Sequence, residues 1–407
     1  MKALLISYLF HPYTAGGAER VVLDLARGLS REGCRVLVMT AGRTEERYEL
    51  QPGISVWRIF HRSPYFNDPA QRKKNRLLRA AWRLLACWNP LIFGKTVAVL
   101  RSFRPDIIHV HNFHGFSPAL FAAARRLSIP VVFTPHDYFP ICRRYNFFKN
   151  GQSCQDRCFG CRLWSRWSRS RMGRFHLLSL TRFSRELFLR YLRPASDQLL
   201  YLASPMNSQE IRTAAAQKQR LAAKKKTVFL FMGRLNEFKG IRWLLDSLRG
   251  ELPPRTLFLI AGDGPLRALT EEFCRRHPAH CKFLGEVSGA SKHKLLLATD
   301  VLFCLSVGGD MSPLVIPEAF GYGIPVIGTA AGAIAEWITP AETGWLVAHG
   351  SRENLAAVVA EIGARRALLK GYSGNCFRKA AANNSELHAR AVLDRYRELS
   401  RRSPGNS

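Results

Sequence analysis

Apolar runs of strand length and apolar residues at helical spacing alternate along this chain in two separate series. The opening KALLISYLF is a continuous apolar run, and GGAERVVLDLARGLSREG follows with Val21, Val22, Leu25, Ala26 and Leu29 on one helical face, ending at Gly33. CRVLVMTAG is the next strand, so a strand, glycine turn, helix, strand order opens the chain and predicts a parallel sheet. IIHV and PVVF are buried-strand runs further on, and HLLSLTRFSRELFLRYL reads as strand, cap and helix with Ser184 as the cap. The alternation then lapses in PMNSQEIRTAAAQKQRLAAKKK, residues 205–226, which is polar, alanine-rich and without core periodicity, and is expected to be a linker. It resumes in TVFLFMGRLNEFKGIRWLLDSLRG, TLFLIAGDGPLRALTEEFCRR, CKFLGEV and VLFCLS. The expected fold is therefore α/β with two parallel-sheet domains, 1–204 and 227–380, and a remainder over 381–407.

The composition narrows the class. With 407 residues the chain can bury two cores, and no apolar run approaches the roughly 20 residues of a membrane-spanning helix. The N-terminus reads as a first strand with no cleavage site after it, which predicts a cytoplasmic protein. A formal charge of +31 implies an anionic partner, and the excess is uneven: +21 in residues 1–200 against +10 in the remainder. Residues 70–104 hold nine Lys or Arg, no acid, and Trp82 and Trp88; Pro90 is expected to split them into two helices, the first suited either to an anionic lipid surface or to a core helix with a solvated face. In 162–193 arginines interleave with Trp164, Trp167, Phe175 and Phe183, which suits base stacking and a lipid interface equally. Ten cysteines without a secretion signal argue against a disulfide framework. Six are scattered and read as core residues, whereas Cys142, Cys154, Cys158 and Cys161 form an insertion over 142–161 whose spacing is compatible with a structural zinc, a redox-sensitive thiol group or plain packing.

Candidate chemistry lies where strands end. In so basic a chain the stretch Gly308–Trp337 contains no Lys or Arg and sets Asp310 and Glu318 eight positions apart, suited to sugar hydroxyls. Arg234 and Lys239 are five apart across one turn and can converge on a diphosphate. Gly16 and Gly17 stand between the first strand and its helix, where bare backbone can approach an anion. His109, His111 and His114 cluster at one strand end, and His136 with Asp137 at the next.

The ordered segments GGAERVVLDLARGLSREGCRVLVMT, PDIIHVHN, FMGRLNEFKG, AGDGP, DMSPLVIPEAFGYGIPVIGT and ETGWLV resemble glycosyltransferase family 4, from residue 1 to about residue 348. The resemblance implies the GT-B fold, two Rossmann-like domains with parallel sheets facing across a cleft, and a C-terminal helix returning towards the first domain. It implies that the second domain binds a nucleotide-diphosphate sugar and the first holds the acceptor. By position it implies donor binding by Gly16, Gly17, Gly233, Arg234, Lys239, Gly262, Asp310, Ser312, Pro313, Leu314 and Glu318, with His111, Asp310, Arg234 and Lys239 at the chemistry. Arg234 and Lys239 then contact the diphosphate, Glu318 the ribose, Asp310 the donor sugar and His111 the transferred sugar. Asp310 departs from the family's glutamate, and Asn207 is left without a role.

The implied activity is a retaining hexosyltransferase acting on a lipid-linked or polysaccharide acceptor in cell-surface polysaccharide or lipopolysaccharide assembly. The protein is expected to be peripheral on the inner face of an anionic membrane. No cofactor is required for such catalysis, a structural zinc apart, and no nucleic acid is expected as partner. The readings left beside it are a basic nucleic-acid-binding α/β protein with a cysteine-held metal, and a nucleotide-sugar binder without turnover.

Overall fold

The structure is a computed structural model that describes residues 1–13, 16–60, 88–149, 152–220, 226–250 and 252–401. It divides into two units, one of 1–147, 155–201 and 386–407, the other of 148–154 and 202–385.

The first unit is built on β1 (Lys2–Ser7), β2 (Arg35–Gly42), β3 (Glu46–Gln51), β4 (Ile54–Phe60), β5 (Ile107–Asn112) and β6 (Val131–Phe133). The hairpin strands β7 (Phe148–Lys149) and β8 (Gln152–Ser153) form a separate two-stranded sheet, and β9 (His176–Ser179) and β10 (Ser196–Leu199) complete the large one. The spatial order is β10-β9-β6-β5-β1-β2-β4-β3, parallel except for the edge pair β3 and β4. β5 is buried along its whole length, as a parallel strand covered by helices on both faces must be, which is why IIHV reads as an apolar run interrupted only by histidine. The strand order reverses between β1 and β5. In open α/β sheets ligands collect at the carboxyl ends flanking such a reversal. Gly16 and Gly17 lie beyond one of these ends, and His111 lies at the other.

The second unit carries β11 (Thr227–Met232), β12 (Thr256–Ala261), β13 (Cys281–Gly285), β14 (Val301–Cys304), β15 (Val326–Thr329) and β16 (Gly344–Val347), all parallel in the order β13-β12-β11-β14-β15-β16. Here the reversal falls between β11 and β14, at Gly233 and Arg234 on one side and the loop to Asp310 on the other. Phe229, Phe258 and Phe303 stack beneath it on adjacent strands.

Three expectations change. Within 205–226, expected to be a linker, Ser208–Arg220 is a helix of the second unit. Asn207 and Glu210 cap it reciprocally, the Glu210 N–H donating to Asn207 Oδ1 at 2.9 Å and the Asn207 N–H to Glu210 Oε2 at 2.7 Å. Ile211 and Ala214 supply its buried contact, too narrow a stripe to register as periodicity in an alanine-rich segment. Of the cysteine insertion, Phe148–Cys154 belongs to the second unit, because Phe148 packs edge-on against Phe238 at 5.6 Å. Cys274 and Cys281, read as separate core residues, form a disulfide between the Arg267–Arg276 helix and β13. The chain's last helix, Ser385–Arg401, lies in the first unit from Glu386 onward. The basic, tryptophan-bearing segment expected before Pro90 lies outside the described residues up to position 87; after it, Pro90–Phe103 is a helix with proline in its first turn.

Candidate functional site

In the second unit the loops leaving β11, β12 and β14 interlock. A Cβ on Gly262 (φ +135°) would lie 1.9 Å from the Gly233 carbonyl oxygen, so the turns after β11 and β12 can touch only as glycine backbone. Gly240 (φ +76°) approaches the Leu305 carbonyl in the same way, and the Val307 N–H donates to the Phe238 carbonyl at 2.8 Å. These contacts fix the Asn236–Gly240 turn against the start of the loop after β14. Asn236 caps the turn by accepting from the Lys239 N–H at 2.9 Å.

That turn directs the Lys239 side chain at Asp310, Nζ to Oδ2 at 2.5 Å, and the Ser306 hydroxyl donates to the same oxygen at 3.1 Å. Burial works against the Lys239 ammonium, but the Asp310 carboxylate outweighs it and the Lys239 pKa is raised. The Cys304 thiol beside them is pushed up to about 12 by burial and then by Asp310. Eight residues on, Glu318 stands on the Val315–Gly321 helix and meets Lys292 Nζ at 2.7 Å. Ser312 is half-buried, Pro313 is buried, and the Leu314 carbonyl accepts from the Glu318 N–H at 3.1 Å, so this segment carries the Glu318 backbone. Arg234 is exposed and has no ion-pair or side-chain hydrogen-bond partner among the described residues. Asp310 and Glu318, in the stretch without Lys or Arg, are thus each matched by a lysine from elsewhere in the chain. Lys239 was singled out by sequence; Lys292 and Ser306 were not, and only their packing marks them.

In the first unit His111 is 2% exposed, its Nδ1 3.0 Å from His136 Nε2, while its Nε2 is buried with no partner among the described residues. His109 tilts over the His111 ring at a 4.0 Å centroid distance. It bonds Thr134 Oγ1 at 2.8 Å and Tyr396 Oη at 2.5 Å, which ties the last helix to β5. Burial lowers His109 and His111 well below the usual histidine value and holds His136 and His388 down at about 4, so all four are neutral at pH 7. Gly16 and Gly17 are exposed, and the Gly16 N–H is taken by Glu19 Oε2 at 3.0 Å in a helix cap.

Of the clustered cysteines, Cys142 and Cys161 Sγ atoms are 3.9 Å apart and buried, whereas Cys158 is exposed. Among the described residues no group of three or more His, Cys, Asp or Glu is arranged to hold a metal ion. No helix among them is long and apolar enough to cross a membrane.

Comparison with known proteins agrees with this architecture. Residues 15–196 match the model of Glycosyltransferase Family 4, and residues 226–364 that of Glycosyl transferases group 1. An uncharacterized 42.6 kDa protein in the cps region of Klebsiella pneumoniae is 28% identical over 40% of this chain. A phosphatidyl-myo-inositol mannosyltransferase of Mycobacterium leprae is 35% identical over 32% of it. The matched segments span 44% and 35% of those proteins' own lengths. The structure of Anabaena HepE in complex with UDP-glucose superposes with a TM-score of 0.69 at 18% identity, covering 98% of this chain and all of that one. Two parallel-sheet units, each closing on loops at its strand reversal and each matched by a transferase family model, make this chain a glycosyltransferase of the GT-B fold, related to Family 4 and group 1.

Proposed function

We propose that the protein is a retaining hexosyltransferase that moves a sugar from a nucleoside diphosphate sugar to a lipid-linked or polysaccharide acceptor in cell-surface glycan assembly, at the inner face of a membrane. The observation that carries this is the Lys239–Asp310 pair at the strand reversal of the second unit. An ammonium kept charged there serves the diphosphate, while a carboxylate beside it serves the hydroxyls of the sugar being transferred. Arg234, exposed and without an ion-pair partner among the described residues, adds a second cation for the leaving group. Glu318 accepts from the ribose, with Lys292 orienting it, and Gly16, Gly17, Gly233, Gly262, Ser312, Pro313 and Leu314 shape the backbone that the donor meets. His111 presents its buried Nε2 to the transferred sugar.

In the step proposed, the bond from C1 to the β-phosphate oxygen breaks while the acceptor oxygen bonds C1 on the same face. The acceptor's proton passes to the departing diphosphate. Lys239 and Arg234 stabilise the charge that develops on that leaving group, and no metal is needed for it. UDP-glucose, the ligand in the Anabaena structure, is the first donor to try, and the phosphatidylinositol substrate named for the Mycobacterium relative supports an amphiphilic acceptor. The test is incubation with UDP- and GDP-hexoses and a membrane extract, with the product's anomeric configuration read by NMR. An α-donor yielding an α-product is expected; a β-product would overturn retention, and binding of no nucleotide sugar would overturn the whole reading.

For the cysteines we propose a structural zinc. Tetrahedral zinc with thiolates at about 2.3 Å sets two sulfurs about 3.8 Å apart, close to the 3.9 Å between Cys142 and Cys161. The Arg144 N–H donates to Cys142 Sγ at 3.4 Å, the kind of bond that supports a bound thiolate. Cys158, the residue before the helix that carries Cys161, is the third sulfur of the set. Metal analysis of the purified protein, with Cys142→Ser beside it, is expected to find one zinc per chain in the wild type alone; a metal-free wild type that melts unchanged in chelator would exclude it.

A further inference from the structure

The helix Phe159–Met172 has two faces of different kinds. Cys161, Ser165, Ser168 and Met172 are buried on one. Directly opposite, at spacings of three and four, stand Phe159, Arg162, Leu163, Arg166 and Ser170. Phe159 is 76% exposed and Leu163 53%, although each could have been polar at no cost to the core. From Arg157 to Arg174 the chain has six arginines and no acid. The surface continues across the helix end, where the Arg171 guanidinium lies 5.6 Å from the Trp88 ring and Leu91, at the start of the Pro90–Phe103 helix, is 60% exposed.

From this juxtaposition we propose that the outer face of the Phe159–Met172 helix is a docking surface for anionic phospholipid. Phe159 and Leu163 enter the acyl boundary, and Arg162, Arg166 and Arg171 sit at the headgroups. The alternation of large apolar side chains with arginines on one exposed stripe is what an interfacial helix requires, and the charge is complementary to an acidic leaflet. Base stacking is the weaker use of this helix, because its two indoles are half-buried and already engaged. Trp164 and Trp167 pack on each other at 5.4 Å, and Trp164 Nε1 donates to the Phe139 carbonyl at 2.5 Å. An aliphatic Leu163 at the centre of the stripe offers a base nothing to stack on. The inference deepens the membrane-side part of the proposed function and rests on that reading for its purpose. Lipid binding is measured without donor, however, so either can fail alone.

The experiment is flotation of the full chain with vesicles of phosphatidylcholine, with and without phosphatidylglycerol, beside oligouridine binding. Phe159→Ser/Leu163→Ser and Arg162→Glu/Arg166→Glu are run with the wild type, each checked by its melting temperature and UDP-hexose affinity in vesicle-free solution. Binding to the anionic vesicles only is expected. It should weaken about fivefold or more for each arginine lost, and at least about tenfold in the serine variant even at low salt. Wild-type binding by either double variant, equal binding to neutral vesicles, or oligouridine binding that these variants abolish while vesicle binding persists would overturn it. Should a double variant melt early, the single Leu163→Ser change is read instead, and unchanged vesicle affinity there counts against the proposal.

Discussion

The two units share a sheet architecture and differ in how they treat charge. In the second, Asp310 and Glu318 are each met by a lysine, and the Lys239 pKa is raised by its partner. In the first, the groups gathered at the strand reversal are histidines held neutral by burial. One fold thus presents a fixed-charge site in one copy and an uncharged, hydrogen-bonding one in the other. The same sheet reversal thus holds paired charge in one unit and neutral imidazoles in the other, a difference set by the side chains gathered there and not by the fold.

Acid should break the comparison most strongly. A histidine whose folded pKa lies below its unfolded value of about 6.5 is protonated first in the unfolded chain, so stability falls as pH drops from there towards about 4, the folded value of His136 and His388. Each such histidine contributes a slope of up to about 1.4 kcal/mol per pH unit. Thermal melts from pH 7 to 4 are expected to show the first unit failing first, and His388→Gln should flatten its slope by about that amount. The Lys239 pair works in the opposite sense: its contribution is complete below about 10.5 and is lost only as pH rises through the raised value.

Lys239→Met sharpens the contrast from the other side. Removing the cation proposed to face the leaving group is expected to cost about 10²–10³ in kcat/KM, while the melt of the first unit stays where it was. Initial rates and calorimetry on the same preparation check both halves. Next in size, Gly240→Ala puts a Cβ 2.0 Å from the Leu305 carbonyl oxygen at φ +76°, and is expected to destabilise the second unit by about 1–3 kcal/mol. An unchanged urea midpoint would mean the two loops separate freely. The smallest effect belongs to Tyr396→Phe, which removes a hydroxyl bonded to His109 and should cost the first unit about 0.5–1.5 kcal/mol.

The sheets were legible in the sequence because parallel strands buried on both faces must be continuous apolar runs, and VLFC, TVFLFM and TLFLIA are such runs. The glycines were legible for a related reason: Gly262 and Gly240 stand where backbone meets backbone. Partnerships across long separations were not. Nothing local says that Lys292 will reach Glu318, that His136 will bond His111, or that Tyr396 will bond His109 across 287 residues. The Ser208–Arg220 helix escaped because two buried residues suffice to dock it once Asn207 and Glu210 close its first turn. The hairpin at Phe148 escaped because an aromatic contact with Phe238 assigns it to the other unit.

The last helix alters the order in which the protein can be made. Residues 202–385 are translated before the chain returns to the first unit with Tyr396, the fully buried partner of His109. At the ribosome's pace of about 5–20 residues per second, the half synthesised first waits roughly ten to forty seconds for its final piece, with β5 uncovered on that side. The second unit, contiguous but for a short hairpin, has no such delay, so the part begun first is the part completed last, and a nascent chain stalled near its end would carry a finished second unit and an unfinished first one.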